Sequence, residues 1–210
     1  MKRALHLSWV LVAALLLGAY VWRVCEVNHS SLLDYAPEVI EYSENCEVPL
    51  TSGYYNRGYL KQDGYYAKIT GTVLCRVDEL NRRGIITLEE QELIQTISEG
   101  TWIIIVSADF HFEGDGDPLE GVIDLSDYQI VGPDYYLNCC TELNELSIFN
   151  KFLSGNSAFS IASGRTIQVE IPFLVNTDSV HSVDANYIQN NDVKILLSRY
   201  PVETYVRLSL

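Results

Sequence analysis

An apolar run from Thr101 to Phe112, TWIIIVSADFHF, is the feature that most constrains how this chain can fold. Most of its residues are β-branched or aromatic, which is typical of β-strands. Its uninterrupted apolar part, Trp102 to Val106, is also typical of strands that are buried inside a sheet. The run therefore predicts a central strand, and the chain around it should be rich in strands as well.

Alternation of apolar and polar residues predicts further strands on both sides of this run. Gly64 to Val77 places Tyr65, Ala67 and Ile69 on one face, and the polar residues between them on the other. Later segments show the same period of two, and the last two close around the turn at Tyr200-Pro201. These predicted strands are residues 165–175, 192–198 and 202–208, with weaker ones at 121–131 and 157–162.

Helix signals are few. Thr87 and Glu90 form a capping box at the start of TLEEQELIQTIS, which predicts one short helix. Helical spacing of leucine and phenylalanine between Leu143 and Leu153 predicts a second. The chain is therefore expected to be mainly β, an antiparallel immunoglobulin-like β-sandwich with one or two short inserted helices. A partly open β-barrel is the alternative architecture.

The N-terminal block of nineteen uncharged residues from Ala4 to Trp22 predicts a transmembrane helix. At 1.5 Å per residue it spans roughly 28 Å, close to the hydrocarbon thickness of a bilayer. The alternative is a cleaved signal peptide, but Gly18-Ala19 has leucine at the −3 position, where cleavage requires a small residue. We therefore expect an uncleaved signal anchor in residues 1–25, with residues 4–22 in the membrane.

Charge predicts how the chain is oriented and which partners it excludes. Lys2 and Arg3 outweigh Arg23, so the positive-inside rule places the C-terminal domain on the outer side of the cell membrane. The whole chain carries 28 acidic against 14 basic residues, a formal net charge of −14. A nucleic-acid-binding protein requires a basic surface, so this class of function is excluded. Polar residues 26–62 are interpreted as a stalk and residues 63–210 as one extracytoplasmic domain.

Five cysteines are consistent with an oxidising compartment. Cys25 lies next to the predicted membrane segment. The other four could form two disulfides in three possible ways. Adjacent cysteines rarely bond to each other, so Cys139 and Cys140 are each expected to pair elsewhere, or one of them to remain free. These disulfide candidates are Cys46, Cys75, Cys139 and Cys140.

Three segments resemble an uncharacterised family of membrane-anchored or secreted proteins of Gram-positive bacteria. They are the Asp63-Gly64-Tyr65 opening of a strand, the TWIIIVSADFHF run and the ending LLSRYPVETYVRL at 196–208. The resemblance implies an immunoglobulin-like, telokin-like β-sandwich and a location in the cell envelope. It implies no catalytic residues, and many proteins of this kind have few cysteines.

An acidic, glycine-rich segment after the central run is the best candidate for a metal site. Its alternating carboxylates suit Ca²⁺, which prefers oxygen ligands, although the spacing departs from the EF-hand pattern. The simpler interpretation is a solvated turn between two strands. The candidate ligands are Glu113, Asp115, Asp117 and Glu120.

No catalytic signature is present, and the chain is not expected to be an enzyme. Gly155 to Phe159 lacks the final glycine of a serine nucleophile elbow, and there is no phosphate-binding or dinucleotide-binding motif. Fourteen tyrosines are unusual, since tyrosine is enriched at binding surfaces as well as in strands. The tyrosines in predicted loops, and hence the candidate binding residues, are Tyr54, Tyr55, Tyr135 and Tyr136.

These observations favour a surface-displayed β-sandwich that binds an unknown protein or envelope ligand. A calcium-responsive or ligand-responsive sensor is the second hypothesis, and an envelope enzyme is the third. No cofactor other than Ca²⁺ is expected.

Overall fold

The computed structural model describes residues 37–55, 58–84, 87–97, 100–114, 122–144, 148–150, 156–175, 183–199 and 201–210, with a few single positions besides. These single positions are Leu17, Gly18, Tyr20, Trp22, Arg23 and Leu146. The chain divides into two compact units, Met1–Pro37 and Glu38–Leu210.

In the first unit, the described positions between Leu17 and Arg23 are helical, and Leu17, Tyr20 and Trp22 are exposed. The rest of the predicted membrane segment, residues 4–22, lies outside the described residues. Within the part of the chain that is described, no helix combines the length and the apolar character needed to cross a bilayer.

Two sheets form the second unit. The first has five strands in the order β1 (Glu38–Ser43), β13 (Val202–Arg207), β12 (Lys194–Ser198), β8 (Gln129–Val131) and β9 (Tyr136–Asn138). The second has four, in the order β11 (Thr166–Val175), β6 (Trp102–Phe112), β5 (Tyr65–Arg76) and β2 (Glu47–Pro49). Two short pairs complete the strands: β7 (Ile123–Asp124) with β10 (Ala158–Phe159), and β3 (Gly53–Tyr55) with β4 (Gly58–Leu60).

Both sheets contribute to one hydrophobic core, which confirms the prediction of a mainly β, sandwich-like fold. Phe110 from β6 and Ile171 from β11 lie in the same buried cluster as Ile130, Ile195 and Val206 from the five-stranded sheet. The strand pairs are antiparallel with one exception, because β1 pairs with β13 in parallel over six consecutive residues. The predicted antiparallel sandwich is therefore wrong at this edge.

The central run does form the central strand β6, which pairs with β5 on one side and β11 on the other. Its first half is continuously apolar because both faces are covered. Ile104 and Val106 face the core between the sheets, whereas Ile103 and Ile105 belong to a second buried cluster on the opposite face. After Ser107 burial alternates, since only the inner face remains covered.

Helical segments cover the outer face of this half of the four-stranded sheet. Helix α1 (Leu88–Thr96) begins with the predicted capping box, in which the Glu90 N–H donates to Thr87 Oγ1 at 3.2 Å and the Thr87 N–H donates to Glu90 Oε2 at 2.6 Å. Helix α2 (Thr141–Asn144) is only four residues long, at the start of the second predicted helix. A 3₁₀-helix, Val77–Arg82, lies beside them, and α3 (Ala185–Gln189) precedes β12. The second buried cluster includes Leu80, Ile94 and Leu143 from these segments.

Residues 38–62, interpreted from the sequence as part of a stalk, instead carry strands β1 to β4 of the folded unit. Val48 is fully buried and Leu50 nearly so. The segment resembles a linker because β1 is an edge strand, in which four of the six side chains are exposed and three of those four are polar. The folded unit thus begins near Glu38 and not at Asp63.

None of the four described cysteines forms a disulfide with another, so the prediction of two bridges among Cys46, Cys75, Cys139 and Cys140 is wrong. Strand order gives the reason. Cys139 bridges to β11, and β6 separates β11 from the strand that carries Cys75. Three strand spacings amount to roughly 14 Å, whereas a disulfide requires Cα atoms about 4.4–6.8 Å apart.

The remaining pairings fail for similar reasons. Cys46 follows Asn45, whose N–H donates to the Ile69 carbonyl at 2.8 Å, so it lies six positions along β5 from Cys75, or about 20 Å. Cys139 and Cys140 lie even farther from Cys46, beyond the opposite edge of the same sheet. Cys139 packs in the core between the sheets and Cys140 in the second cluster, so the two thiols are in different environments.

Thiol reactivity should follow burial. Cys46 is exposed and is expected to react first with a maleimide at neutral pH, whereas the buried Cys139 and Cys140 should react only after unfolding. Burial raises the pKa of the Cys140 thiol to about 11, so that thiol stays protonated and unreactive. Mass spectrometry of native and denatured protein without reductant measures both classes. A described cysteine that stays unmodified in denatured, unreduced protein would contradict the structure, and Cys46→Ser should remove the fast-reacting thiol among the four described ones.

Candidate functional site

The outer face of the five-stranded sheet carries polar and aromatic side chains that the alternation of its strands turns away from the core. In β13, Thr204 and Val206 are buried, whereas Glu203 and Tyr205, which alternate with them, are partly exposed. Val39 and Glu41 lie on this outer face too, since the register pairs Val39 with Glu203 and Glu41 with Tyr205. Side chains from strands that are distant in sequence therefore meet on one surface.

A cleft of about 450 Å³ crosses this face from β1 to β8. Its lining combines aliphatic groups at the two ends with charged groups and one phenol between them. The lining residues are Val39, Glu41, Val131, Gly132, Pro133, Asp192, Lys194, Glu203 and Tyr205.

Four alternating charges form a network in which Glu41, Asp192 and Lys194 line the cleft and Arg207 lies beside it. Lys194 Nζ lies 2.5 Å from Glu41 Oε1 and 3.5 Å from Asp192 Oδ2. Arg207 pairs with the same two carboxylates, at 3.6 Å from Glu41 Oε2 and 3.1 Å from Asp192 Oδ1. Each pair is partly exposed, so the individual contributions to stability are small. Together they hold strands β1, β12 and β13 in register and neutralise one another's charge.

Glu203 differs from this network because no lysine or arginine of the described residues lies within ion-pair distance of it. Its Oε2 accepts a hydrogen bond of 2.9 Å from the Tyr205 hydroxyl. Burial, and then this carboxylate, raise the pKa of Tyr205 to about 12, so the phenol stays neutral and donates. The β1 end of the cleft therefore carries an uncompensated negative charge beside the exposed Val39.

At the opposite end, a tight turn between β8 and β9 supports the cleft wall. The Gly132 N–H donates to the Tyr135 carbonyl at 2.9 Å, and the Tyr135 ring covers Gly132 so closely that a Cβ atom there would lie 2.2 Å from it. The Tyr135 ring also meets Tyr187 edge-on, with centroids 6.1 Å apart, and the Tyr187 hydroxyl donates to Asp134 at 2.8 Å. Only glycine at position 132 allows this packing.

The four candidate tyrosines fall into different situations. Tyr135 is half-buried in the turn, where its ring packs on Gly132 and Tyr187, and burial raises its pKa to about 12. Tyr136 is 68 % exposed and pairs in register with Val131 of the cleft, so it flanks the site. Tyr54 and Tyr55 lie in β3, a strand where a loop was predicted, and their side chains are outside the description.

The acidic segment is only partly described. Glu113 is exposed, and its Oε1 lies 3.7 Å from Nε2 of His111, which is also 3.5 Å from Glu47 Oε1. The His111 ring stacks on Tyr66 with centroids 4.9 Å apart. Asp115, Asp117 and Glu120 lie outside the described residues, and the described ones contain no cluster suited to a metal ion. Calcium binding at this segment stays a prediction.

Most cleft residues were not identified from the sequence. Alternation in 202–208 does turn Glu203 and Tyr205 outward, and this pattern could have pointed to them. No local pattern indicates that Val39 and Glu41 lie beside them, because the two strands are more than 150 residues apart in the chain.

Comparisons with known proteins identify the family but not its activity. The chain is similar to an uncharacterised β-sandwich protein from Clostridium difficile 630, at 10 % identity and a TM-score of 0.43, over 83 % of this chain and 97 % of that one. It is also similar to a functionally unknown protein from Listeria monocytogenes EGD-e, at 8 % identity and a TM-score of 0.39, over 73 % and 72 % of the two chains. No curated protein matches. The model of the domain of unknown function DUF5028 matches residues 39–204, from β1 to β13, and the chain therefore belongs to the DUF5028 family.

Proposed function

We propose that this chain is a single-pass protein of the cell envelope, held at the outer face of the cell membrane by residues 4–22, whose β-sandwich works by binding. Support for the anchor comes from the apolar block between Lys2-Arg3 and Arg23. The immunoglobulin-like type of the sandwich is part of the same proposal. The binding partner is a protein or another envelope ligand, and nucleic acid is excluded by the net charge of −14.

The cleft on the five-stranded sheet is the observation that carries the binding role. Ligand sites are typically concave, with apolar surface and a few fixed polar groups. Here Val39, Val131 and Pro133 supply apolar surface, whereas Lys194 and Glu203 supply polar groups. Helices α1 and α2 and the 3₁₀-helix Val77–Arg82 pack on the other sheet, and no described helical segment contributes a residue to the cleft lining.

A binding role fits the described chemistry better than catalysis does. Burial raises the pKa of the thiols of Cys75 and Cys140, which favours the protonated, unreactive form. His111 contacts two glutamates and a tyrosine ring, and no hydroxyl or thiol in the described residues is paired with it as a nucleophile. We therefore propose no enzymatic activity.

In-cell photo-crosslinking tests the binding role. A photo-reactive amino acid at Val131, inside the cleft, is expected to give a specific adduct in cells that express the full chain. The same amino acid at Val73, which is exposed on the four-stranded sheet, serves as the matched control and should give none. Equal labelling from both positions, or none from Val131, would overturn the proposed role.

A further inference from the structure

Strand β1 ends the five-stranded sheet and leaves one long, regular edge open. It pairs with β13 over six consecutive residues without a register shift, and it has no other partner among the described strands. The strand contains no proline and no bulge, which are two common ways of blocking a sheet edge. Its backbone is therefore suited to pairing with another strand.

The direction of the hydrogen bonds shows which backbone groups are open. The Glu38 N–H donates to the Pro201 carbonyl at 3.3 Å, so the backbone of Glu38 faces β13. In a parallel ladder this direction alternates along the strand, and the backbone groups of Ile40 and Tyr42 face β13 as well. The N–H and C=O groups of Val39 and Glu41 therefore face the open edge.

The two faces of β1 differ in chemistry. On the outer face, the side chain of Val39 is 57 % exposed and lies beside Glu203, at the negative end of the cleft. On the inner face, Ile40 and Tyr42 are partly buried, and Tyr42 packs against the core between the sheets. On the outer face, a strand added at this edge would meet Val39 and Glu41, with Glu203 behind Val39 on the next strand. On the inner face it would meet the exposed Glu38 and then the apolar side chains of Ile40 and Tyr42.

Charge decides between the candidate strands. Glu38 is exposed and, like Glu203, has no lysine or arginine within ion-pair distance among the described residues. A second copy of this chain would bring its own β1 glutamates and a net charge of −14 to the same edge, and repulsion disfavours that pairing. A strand with lysine or arginine on its outer face is complementary.

We propose that the open edge of β1 takes up an extended segment of a partner protein, cationic on the face beside Glu203 and apolar on the face beside Tyr42. The added segment would extend the sheet through main-chain hydrogen bonds, and its side chains would give specificity. Among the described residues, Glu203 on the outer face has no lysine or arginine partner, so its charge disfavours an acidic strand beside Val39 and favours a cationic one. This inference rests on the proposed binding role and names the chemistry of the partner.

A model peptide tests the edge directly. The probe is a fluorescent, acetylated and amidated peptide of four Lys-Val repeats, and its binding to the full chain in detergent micelles is followed by anisotropy. Val39→Pro removes the outward N–H but no bond to β13, because proline is tolerated where the N–H faces away from the sheet. We expect Val39→Pro to weaken binding by about tenfold or more, while Val39→Thr, which keeps the N–H, binds like the original chain.

Charge and folding controls accompany these variants. A peptide of four Glu-Val repeats should not bind, and Glu203→Gln should weaken binding of the Lys-Val peptide by a few-fold. The thermal unfolding of the Val39→Pro chain must match that of the Val39→Thr chain. Ile40→Pro breaks pairing with β13, and its lower unfolding temperature provides the reference for loss of the strand.

Equal affinity of the folded Val39→Pro and Val39→Thr chains for the Lys-Val peptide would overturn the edge-pairing proposal. Tight binding of the Glu-Val peptide would overturn the proposed charge preference. Val131 lies on β8, three strands from this edge, so its crosslinking reports on the binding role independently. If the edge-pairing proposal fails while Val131 still gives its specific adduct, the proposed binding function is retained.

Discussion

A fragment of residues 63–210 is expected to show no cooperative thermal unfolding, whereas a fragment of residues 38–210 should unfold in a single transition. The shorter fragment begins where the sequence pattern places the start of the domain, but it lacks β1 to β4. Without β1, strand β13 becomes an open edge, and without β2 the same happens to β5. The buried side chains of Val48 and Leu50 are lost as well.

The size of the loss follows from typical burial energies. Full burial of Val or Leu stabilises a fold by about 1.5–3 kcal/mol each, so these two alone account for several kcal/mol. Native domains are stable by only about 5–15 kcal/mol, and the missing strand pairs add to the deficit. Circular dichroism during heating distinguishes the fragments. A sharp transition of the 63–210 fragment within a few degrees of that of the longer one would show that β1 to β4 are dispensable.

The start of the folded domain, which the sequence pattern places at Asp63 and the structure near Glu38, shows what a local pattern can and cannot predict. Edge strands have one partner and much exposed surface, so only Ile40 and Tyr42 of β1 turn inward, and the segment reads as polar. Strand β6 is covered on both faces in its first half, and the continuous apolar residues there predict this burial directly. The capping box of α1 is predicted from the sequence equally well, because its contacts join residues three apart in the chain.

Sequence patterns do not predict features that depend on pairing between strands distant in the chain. The cysteines suggested disulfides because their number and context fit, but three strand spacings separate Cys75 from Cys139. The cleft gathers Glu41 and Lys194, which lie 153 residues apart, through a parallel pairing of the first strand with the last. Alternation predicts which side chains face outward, but not which strands become neighbours.

Replacing Phe110 by alanine should remove about 3–5 kcal/mol from the free energy of unfolding, as large-to-small changes of buried aromatic residues commonly do. Phe110 is fully buried between the two sheets. Its ring stacks with Tyr128 at a centroid distance of 5.6 Å and meets Phe159 edge-on at 6.2 Å. Alanine would leave a cavity that these rings fill only in part. Urea unfolding measures the change, which should shift the midpoint and leave the m-value unaltered.

The adjacent residue provides a matched control, because neighbouring side chains of a strand face opposite sides of the sheet. His111 lies on the outer face, with its side chain 18 % exposed and its ring stacked on Tyr66. His111→Ala should therefore cost about 0.5–1.5 kcal/mol, the value typical of an aromatic pair. Similar losses for the two variants would contradict the assignment of the faces of β6. A loss near 4 kcal/mol is a large part of the stability of an ordinary domain, so Phe110→Ala should also reduce the amount of folded protein in cells.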